Sequence, residues 1–444
     1  MMRTVSLAFR NLSRQKKRTF MLAGAIAFGF FVVTLIDGVV AGGMRNFEEQ
    51  FAFLFGGNVI IERDNHTSQD SSKEPIVSTG PEDAERILTS IKASGIPYQY
   101  ANKRTITSGT IIFEGRKNMT NIFGCDFDEE VFLKDKIQLV EGSWENTERR
   151  NAIIMSESTM KAMKIEIGDT ILFSLNTYSG QANFGEFYVA AKSKDISLIG
   201  SIACYAHIDY VNELMELPHD DFNCITVMLN NIEQQEMAAT LIENQIRTWN
   251  PQTASRLQAI AENPNSPSSS IYKQINDSDW NGTCFAITSM YDQAPVLKQI
   301  VSYTQWISFG ILVVLFFVVM IGIANTYRMV LYERIREIGT MRAVGMQRRD
   351  SGRVFAWEAV LLSIFGAAVG FVLAIIAMNI LGLFTITDEM FQFFLKNNHI
   401  TFILTFPSVF LKLAIVVLLT LVAVSGSVKK ASRMNPAEAL RTVK

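Results

Sequence analysis

Residues 306–327 read WISFGILVVLFFVVMIGIANTY and residues 328–346 continue RMVLYERIREIGTMRAVGM; the change of chemistry at Arg328 decides the fold. The first stretch carries no charge and has the length, about 20 residues, that a helix needs to cross a hydrocarbon core of about 30 Å. In the second, Leu331, Ile335, Ile338 and Met341 recur at helical spacing as one apolar stripe. Glu333, Arg334 and Glu337 fall on other faces, the pattern of a short amphipathic helix lying along a membrane surface or in a partner's groove. A spanning helix followed at once by a surface helix predicts an integral membrane protein.

Three further stretches match the first. Residues 19–41 carry one acid, Asp37, near the far end; residues 359–383 carry no charge; residues 406–428 carry one, Lys412, close enough to the start to snorkel to the interface. Core helices of a soluble protein seldom run so long without a polar face. The 19–41 stretch exceeds the apolar run of a cleaved signal peptide and reads as a retained anchor. Neither Asp37 nor Glu358 has an evident partner in the sequence. Composition agrees: 48% of the 444 residues are hydrophobic, Phe occurs 31 times, and only 19% are charged, against roughly 25% in soluble proteins.

The basic residues set the expected orientation. Residues 1–18, a basic arm, hold Arg3, Arg10, Arg14, Lys16, Lys17 and Arg18 without an acid. Seven arginines lie in 328–353 and five Lys or Arg in the tail, 429–444, whereas the loop 384–405 has only Lys396. Both termini and 328–353 are therefore expected in the cytoplasm, with 42–300 and 384–405 outside. The net charge of -2 conceals this split. The cytoplasmic stretches combine 18 basic residues with four acids, and 42–300 combines 21 basic with 35 acidic residues. The expected fold class is a polytopic α-helical membrane protein with four transmembrane helices. A large α+β extracytoplasmic domain stands between the first and second.

Within 42–300, β-rich runs at 58–62, 105–113, 152–155, 170–175, 187–191 and 224–229 alternate with helical patterns at 81–93, 156–163 and 232–248. Polar stretches at 63–82 and 262–270 read as loops. Both ends continue their neighbouring spans as stalk helices. Phe47, Phe51 and Phe55 keep helical spacing beyond the first span; packing on neighbouring helices is one reading and contact with lipid or substrate the other. Cys125, Cys204, Cys224 and Cys284 all fall in this domain, an even count outside the cytoplasm that permits disulfides. Cys204 with Cys224 is the first candidate pair; buried free thiols are the alternative.

Chemistry-bearing motifs are missing. The sequence has no G-x-x-x-x-G-K-[ST] phosphate loop, no H-E-x-x-H, no G-x-S-x-G elbow, and four scattered histidines. No metal site or catalytic residue is expected, and the charge distribution does not fit a nucleic-acid binder. A proton-driven carrier would bury ionisable groups near mid-membrane and use more spans.

The segment Glu333–Met346, E-R-x-R-E-I-G-x-x-R-A-x-G-M, resembles the coupling segment of FtsX-like ABC-transporter permeases, a superfamily that includes lipoprotein-releasing and MacB-like permeases. Leu7-Ala8-Phe9-Arg10-Asn11-Leu12 is similar to the family's start, and Asn435-Pro436-Ala437-Glu438-Ala439-Leu440-Arg441 to its end. Glu141-Gly142, Ala152–Met155 and Ile167-Gly168-Asp169 resemble its outer domain. The resemblance implies a permease subunit, not itself an enzyme, working with separate cytoplasmic ABC ATPase subunits that hold ATP and Mg. A second permease copy or a paralogue completes the complex. ATPase coupling is thereby assigned to Glu333, Arg334, Arg336, Glu337, Gly339, Arg342 and Gly345. The expected location is a bacterial cytoplasmic (inner) membrane.

The size of 42–300 resembles that of lipoprotein-releasing or macrolide-exporting relatives more than that of division-type ones. The Phe stripe favours lipoproteins or other lipid-linked substrates, handed to a periplasmic carrier. Efflux of peptides or small molecules with a periplasmic adaptor is the alternative within the family, and a non-transporting scaffold or sensor is the alternative outside it.

Overall fold

The computed structural model describes residues 16–433 apart from 55, 67–77, 129, 131, 196–202, 219, 278–281, 334–339, 341–343, 345, 387, 389–390 and 392–393. In chain order its elements begin with α1 (Lys16–Leu54), β1 (Val59–His66), α2 (Pro81–Ala93), β2 (Tyr98–Phe113), β3 (Arg116–Cys125), α3 (Phe132–Lys136) and β4 (Leu139–Gly142). There follow β5 (Ala152–Ser156), α4 (Glu157–Met163), β6 (Thr170–Asn176), β7 (Ala182–Ser193), β8 (Ala203–His207), α5 (Ile208–Leu214) and β9 (Cys224–Leu229). Then come α6 (Gln235–Arg247), α7 (Arg256–Glu262), α8 (Pro267–Asn276), β10 (Gly282–Ser289), α9 (Met290–Gln293) and α10 (Pro295–Glu333). The chain closes with α11 (Arg348–Leu381), β11 (Leu395–Lys396), β12 (His399–Ile400) and α12 (Phe406–Arg433). Two compact units result: Met1–Asn46 with Val301–Lys444, and Phe47–Ile300.

The first unit holds the apolar helices. Among the described residues α1, α10, α11 and α12 each contain a segment long and apolar enough to cross a membrane: Thr19–Phe53, Pro295–Gly322, Gly352–Leu381 and Phe406–Gly426. Their shared core comes from Leu22, Ile26, Phe30 and Val33 of α1, Phe316 of α10, Phe355, Ala359 and Leu362 of α11, and Val416 and Val424 of α12. Lipid is as apolar as these side chains, so helices associate in it through close packing rather than hydrophobic gain. Gly366 and Gly370 of α11 supply that closeness. A Cβ on Gly370 would overlap the carbonyl of Ala27, and one on Gly366 would stand 2.9 Å from that of Ala23. Before α12, β11 and β12 form a hairpin whose turn residues, Asn397 and Asn398, have φ of 52° and 65°. Asn tolerates that left-handed pair better than other residues with a side chain.

The second unit is built on a sheet of order β10-β1-β9-β2-β3-β8-β5-β7-β4, with β6 pairing β2 and β7. Every residue of β5 (AIIMS) and β9 (CITVML) is buried, as in strands covered on both faces. β2 organises the sheet because it changes partners along its length. Its first half pairs β9, and from Thr105 onward it pairs β3, with β6 added at 110–112. One core lies where β1, β9 and β10 meet α2 and α6 (Ile61, Ile87, Phe222, Ile242, Phe285). The other gathers Ile122, Met160, Phe173, Phe187 and Val211 around β3, β6 and β7.

At the point where β2 changes partners stands Arg104, buried and ion-paired with Glu130, which also accepts from Asn102 Nδ2. The guanidinium donates to Cys125 Sγ as well. Burial pushes the Glu130 carboxyl up to about 7, against the opposing pull of Arg104. The same desolvation raises Cys204 to about 12 and Cys125 and Cys224 above the ordinary thiol range.

Three expectations change. Cys204 and Cys224 do not pair: all four cysteines are free and buried. Cys204 lies on β8 and Cys224 on β9, with β2 and β3 between them. At roughly 4.8 Å per strand that is about 14 Å, twice the reach of a disulfide. The polar run at 262–270 is not all loop, because Pro267 opens α8 in the first turn, where its missing N–H costs nothing. β1 extends to His66, since pairing with β10 continues through His66↔Gly282 where the pattern of apolar residues has stopped.

Two predictions follow from this packing. Gly370→Leu should separate α11 from α1, costing on the order of 2 kcal/mol, read as a lower unfolding midpoint of the full chain in detergent. Glu130 binds its proton more tightly folded than unfolded, so the folded chain carries more protons between the ordinary carboxylate range and about pH 7. Stability should therefore fall by on the order of 2 kcal/mol as pH rises from 5 to 8, and Glu130→Gln should flatten that slope in the same melts.

Candidate functional site

In the second unit, the loop-to-helix passage into α10 is held by one buried guanidinium. Ser289 and Asp292 form a capping box on α9, with Ser289 N and Oγ donating to Asp292 Oδ2 at 2.7 and 2.8 Å. Arg256, at the start of α7 and 2% exposed, donates to both carboxylate oxygens of Asp292, Nε at 2.6 Å and Nη2 at 3.2 Å. Its Nη1 reaches the Glu236 carbonyl at 3.1 Å and Thr240 Oγ1 at 3.2 Å, and Nη2 the Glu236 carboxylate at 3.3 Å. The planar fork thus joins α7, α6 and α9 in fixed directions. Lys298, in the first turn of α10, adds a 2.7 Å bond to Glu236, and Tyr291 of α9 donates to Glu48 of α1. Burial raises the Glu243 carboxyl, which accepts from Arg256 N at 3.0 Å. This network fastens helices together. It presents no exposed nucleophile beside a base, and among the described residues no group of His, Cys, Asp or Glu is placed to hold a metal ion.

In the first unit the polar focus is Lys412, only 4% exposed, ion-paired with Asp37 of α1; Ser408 Oγ donates to the same carboxylate oxygen at 3.0 Å. This overturns two expectations. Lys412 does not snorkel, and Asp37 does have a partner. An isolated charge among apolar helices is expensive, and a facing opposite charge removes that cost more completely than reaching for a headgroup. Spans far apart in sequence gave no sign of it.

The expected coupling residues meet the structure at one end. Glu333 is the last residue of α10. Arg334, Arg336, Glu337, Gly339, Arg342 and Gly345 lie outside the described residues. Between them Thr340 and Val344 are exposed, and Val344 N donates to Thr340 O at 3.0 Å. Phe47 and Phe51 are 6% and 4% exposed, their rings 4.7 Å apart. Both are buried, the packing alternative of the two sequence readings. Phe55 lies outside the described residues. Sequence reasoning missed Arg256 and Asp292, although Ser289-x-x-Asp292 just before Pro295 has capping-box spacing.

A sheet-rich unit placed in sequence between the first and second of four apolar helices is a permease layout rather than that of a soluble enzyme. Residues 309–436 match the FtsX-like permease C-terminal family, and residues 19–245, half the chain, match the MacB-like periplasmic core domain. The chain belongs to the ABC transporter permeases of the MacB/FtsX type. It is 26% identical over 111 residues to an uncharacterized ABC transporter permease of Methanocaldococcus jannaschii, a match covering 25% of this chain and 27% of the relative. Over 55 residues it is 47% identical to the pyoverdine export ATP-binding/permease protein PvdT of Pseudomonas syringae pv. tomato, covering 12% of this chain and 8% of that one. The chain thus spans well under two thirds of the length of these relatives. Among solved structures, the periplasmic region of MacB from Actinobacillus actinomycetemcomitans aligns with TM-score 0.31 and 14% identity, covering 56% of this chain and 95% of that one. The extracellular domain of the noncanonic ABC-type transporter YknZ from Gram-positive bacteria aligns with TM-score 0.28 and 13% identity, covering 43% and 95%.

Removing one partner of a buried ion pair leaves the other unpaired, at about 3–5 kcal/mol. Arg256→Ala should therefore lower the unfolding midpoint and speed amide exchange in α9, whereas Arg256→Met with Asp292→Leu should recover most of the loss.

Proposed function

We propose that this chain is a permease subunit in which ATP hydrolysis by a separate cytoplasmic ATPase, holding ATP and Mg, moves an outer domain. The observation that carries this reading is the length of two helices. α1 and α10 each run 39 residues without a break. At 1.5 Å per residue each is about 58 Å long, nearly twice a hydrocarbon core of about 30 Å. Each is therefore longer than a bilayer is thick, and each continues in sequence into Phe47–Ile300, where Glu48 of one and Lys298 of the other are bonded within that unit.

The proposed coupling segment begins at Glu333, on the same helix α10. Glu333, Arg334, Arg336, Glu337, Gly339, Arg342 and Gly345 would engage the ATPase from the cytoplasm. The basic 1–18, 328–353 and 429–444 stretches support both termini on that side of a bacterial cytoplasmic membrane. A second copy of the chain or a paralogue completes the complex.

For the substrate we favour lipoproteins or lipid-linked molecules taken from the outer face and passed to a periplasmic carrier. The support has moved from the buried Phe47 and Phe51 to Val296 and Ile300, exposed apolar residues on the part of α10 that belongs to the second unit. Export of a small molecule through an adaptor is the second reading, favoured by the 55-residue similarity to a pyoverdine export protein.

Affinity purification of the full chain from its native membrane should bring down an ATPase, and Glu337→Lys should reduce stimulation of its hydrolysis at least ten-fold while the complex persists. Normal coupling in that variant would remove the role from the segment. Purification without any ATPase would favour a scaffold or sensor. Depletion should leave lipoproteins in the inner membrane; correct sorting with loss of an exported small molecule would favour the second reading.

A further inference from the structure

The segment 394–404 lies along α1 and is tied to it at successive turns. Asp37 takes Lys412 and Ser408 from the start of α12. One residue on, the Gly38 carbonyl accepts from Ile403 N at 3.1 Å, although it belongs to a helix interior. At Gly42 the helix surface is so close to the segment that any Cβ would run into the Thr401 carbonyl. At Asn46, Nδ2 donates to Thr401 Oγ1 at 2.6 Å and to the Phe394 carbonyl at 3.0 Å. These anchors span residues 37–46 of α1, about 14 Å of helix axis.

The segment has a reason to keep its shape. Its β11–β12 hairpin is braced by the bridge Thr385↔His399 and by Ile386 N donating to Asn398 O at 2.8 Å. It is joined directly to α12, and Met378 of α11 reaches the position a Gly38 side chain would fill. Deeper in the unit α11 is pressed on α1 through Gly366 and Gly370. α10 meets this body differently: it presents Leu312, Leu315 and Phe316 to the shared core, while Ile311, Val314, Phe317 and Val318 beside them are exposed. A smooth apolar contact of that kind resists sliding far less than a ladder of directional bonds.

From this we infer that residues 394–404 are a collar that binds α1, α11 and α12 into one rigid body, leaving α10 as the helix that shifts against it. The inference goes beyond the proposed function. The division is a property of the chain alone, so its test needs no ATPase. Failure would leave the permease reading standing, and absence of an ATPase would leave the collar standing.

The test is double electron–electron resonance on the full chain in nanodiscs, labelled at exposed positions; the four native thiols are buried and stay unlabelled. Phe28→Cys with Leu418→Cys reports α1 against α12, and Phe317→Cys with Val372→Cys reports α10 against α11. We expect a narrow distance distribution for the first pair and one at least two-fold broader for the second. Equal widths, or the reverse order, would overturn the proposal. Asn46→Leu with Thr401→Val removes the outermost tie and keeps the charge pair, which guards against simple misfolding. It should broaden the first pair about two-fold and leave the second unchanged, and an unaltered first pair would equally overturn the collar.

Discussion

Lys412 and Asp37 set the terms for the first unit. Either charge alone would be costly in a hydrocarbon environment. Facing each other, they convert that penalty into a directional constraint between α1 and α12. Van der Waals packing could hold these helices at many rotations and depths; the ion pair with Ser408 allows one. The glycine contacts at Gly42 and Gly370 depend on that depth, because a displacement of one residue would put a side chain against a backbone carbonyl.

The second unit solves a related problem with other means. Its two cores are joined by β2, and Arg104 stands at the change of partners, where neither core alone could bury it. Glu130 and Cys125 complete its surroundings. The same device recurs with Arg256, whose fork holds α9 just ahead of α10 in the chain. In both places arginine is the residue that can satisfy several elements at once, which lysine's single ammonium cannot do with fixed directions.

Much of this was legible in the sequence, for definite reasons. The four apolar stretches announce themselves because lipid demands length and uniformity. Helix α2 was readable to the residue, Pro81 at its start and an apolar stripe through Ile87 and Ile91. Strands β5 and β9 were readable from β-branched runs. What escaped were properties of pairs distant along the chain. The Asp37–Lys412 contact and the separation of Cys204 from Cys224 both follow from which strand or helix lies beside which. A periodic stripe says that one face is apolar, not whether protein or lipid covers it. β3 and β10 were missed because their polar or small residues (Asn118, Thr120, Gly282) blur the alternation that marks a strand.

The pairing of β1 with β10 has a consequence for how the protein is made. Val59 lies opposite Ser289, so the first strand of the second unit is completed by nearly its last residues. During synthesis β1 is made before either of its partners, β9 and β10, and stays unpaired until they follow. Closing so long a loop is slow, and unpaired strands aggregate readily. Such incomplete copies carry the acidic surplus of 42–300, and like net charge opposes their association.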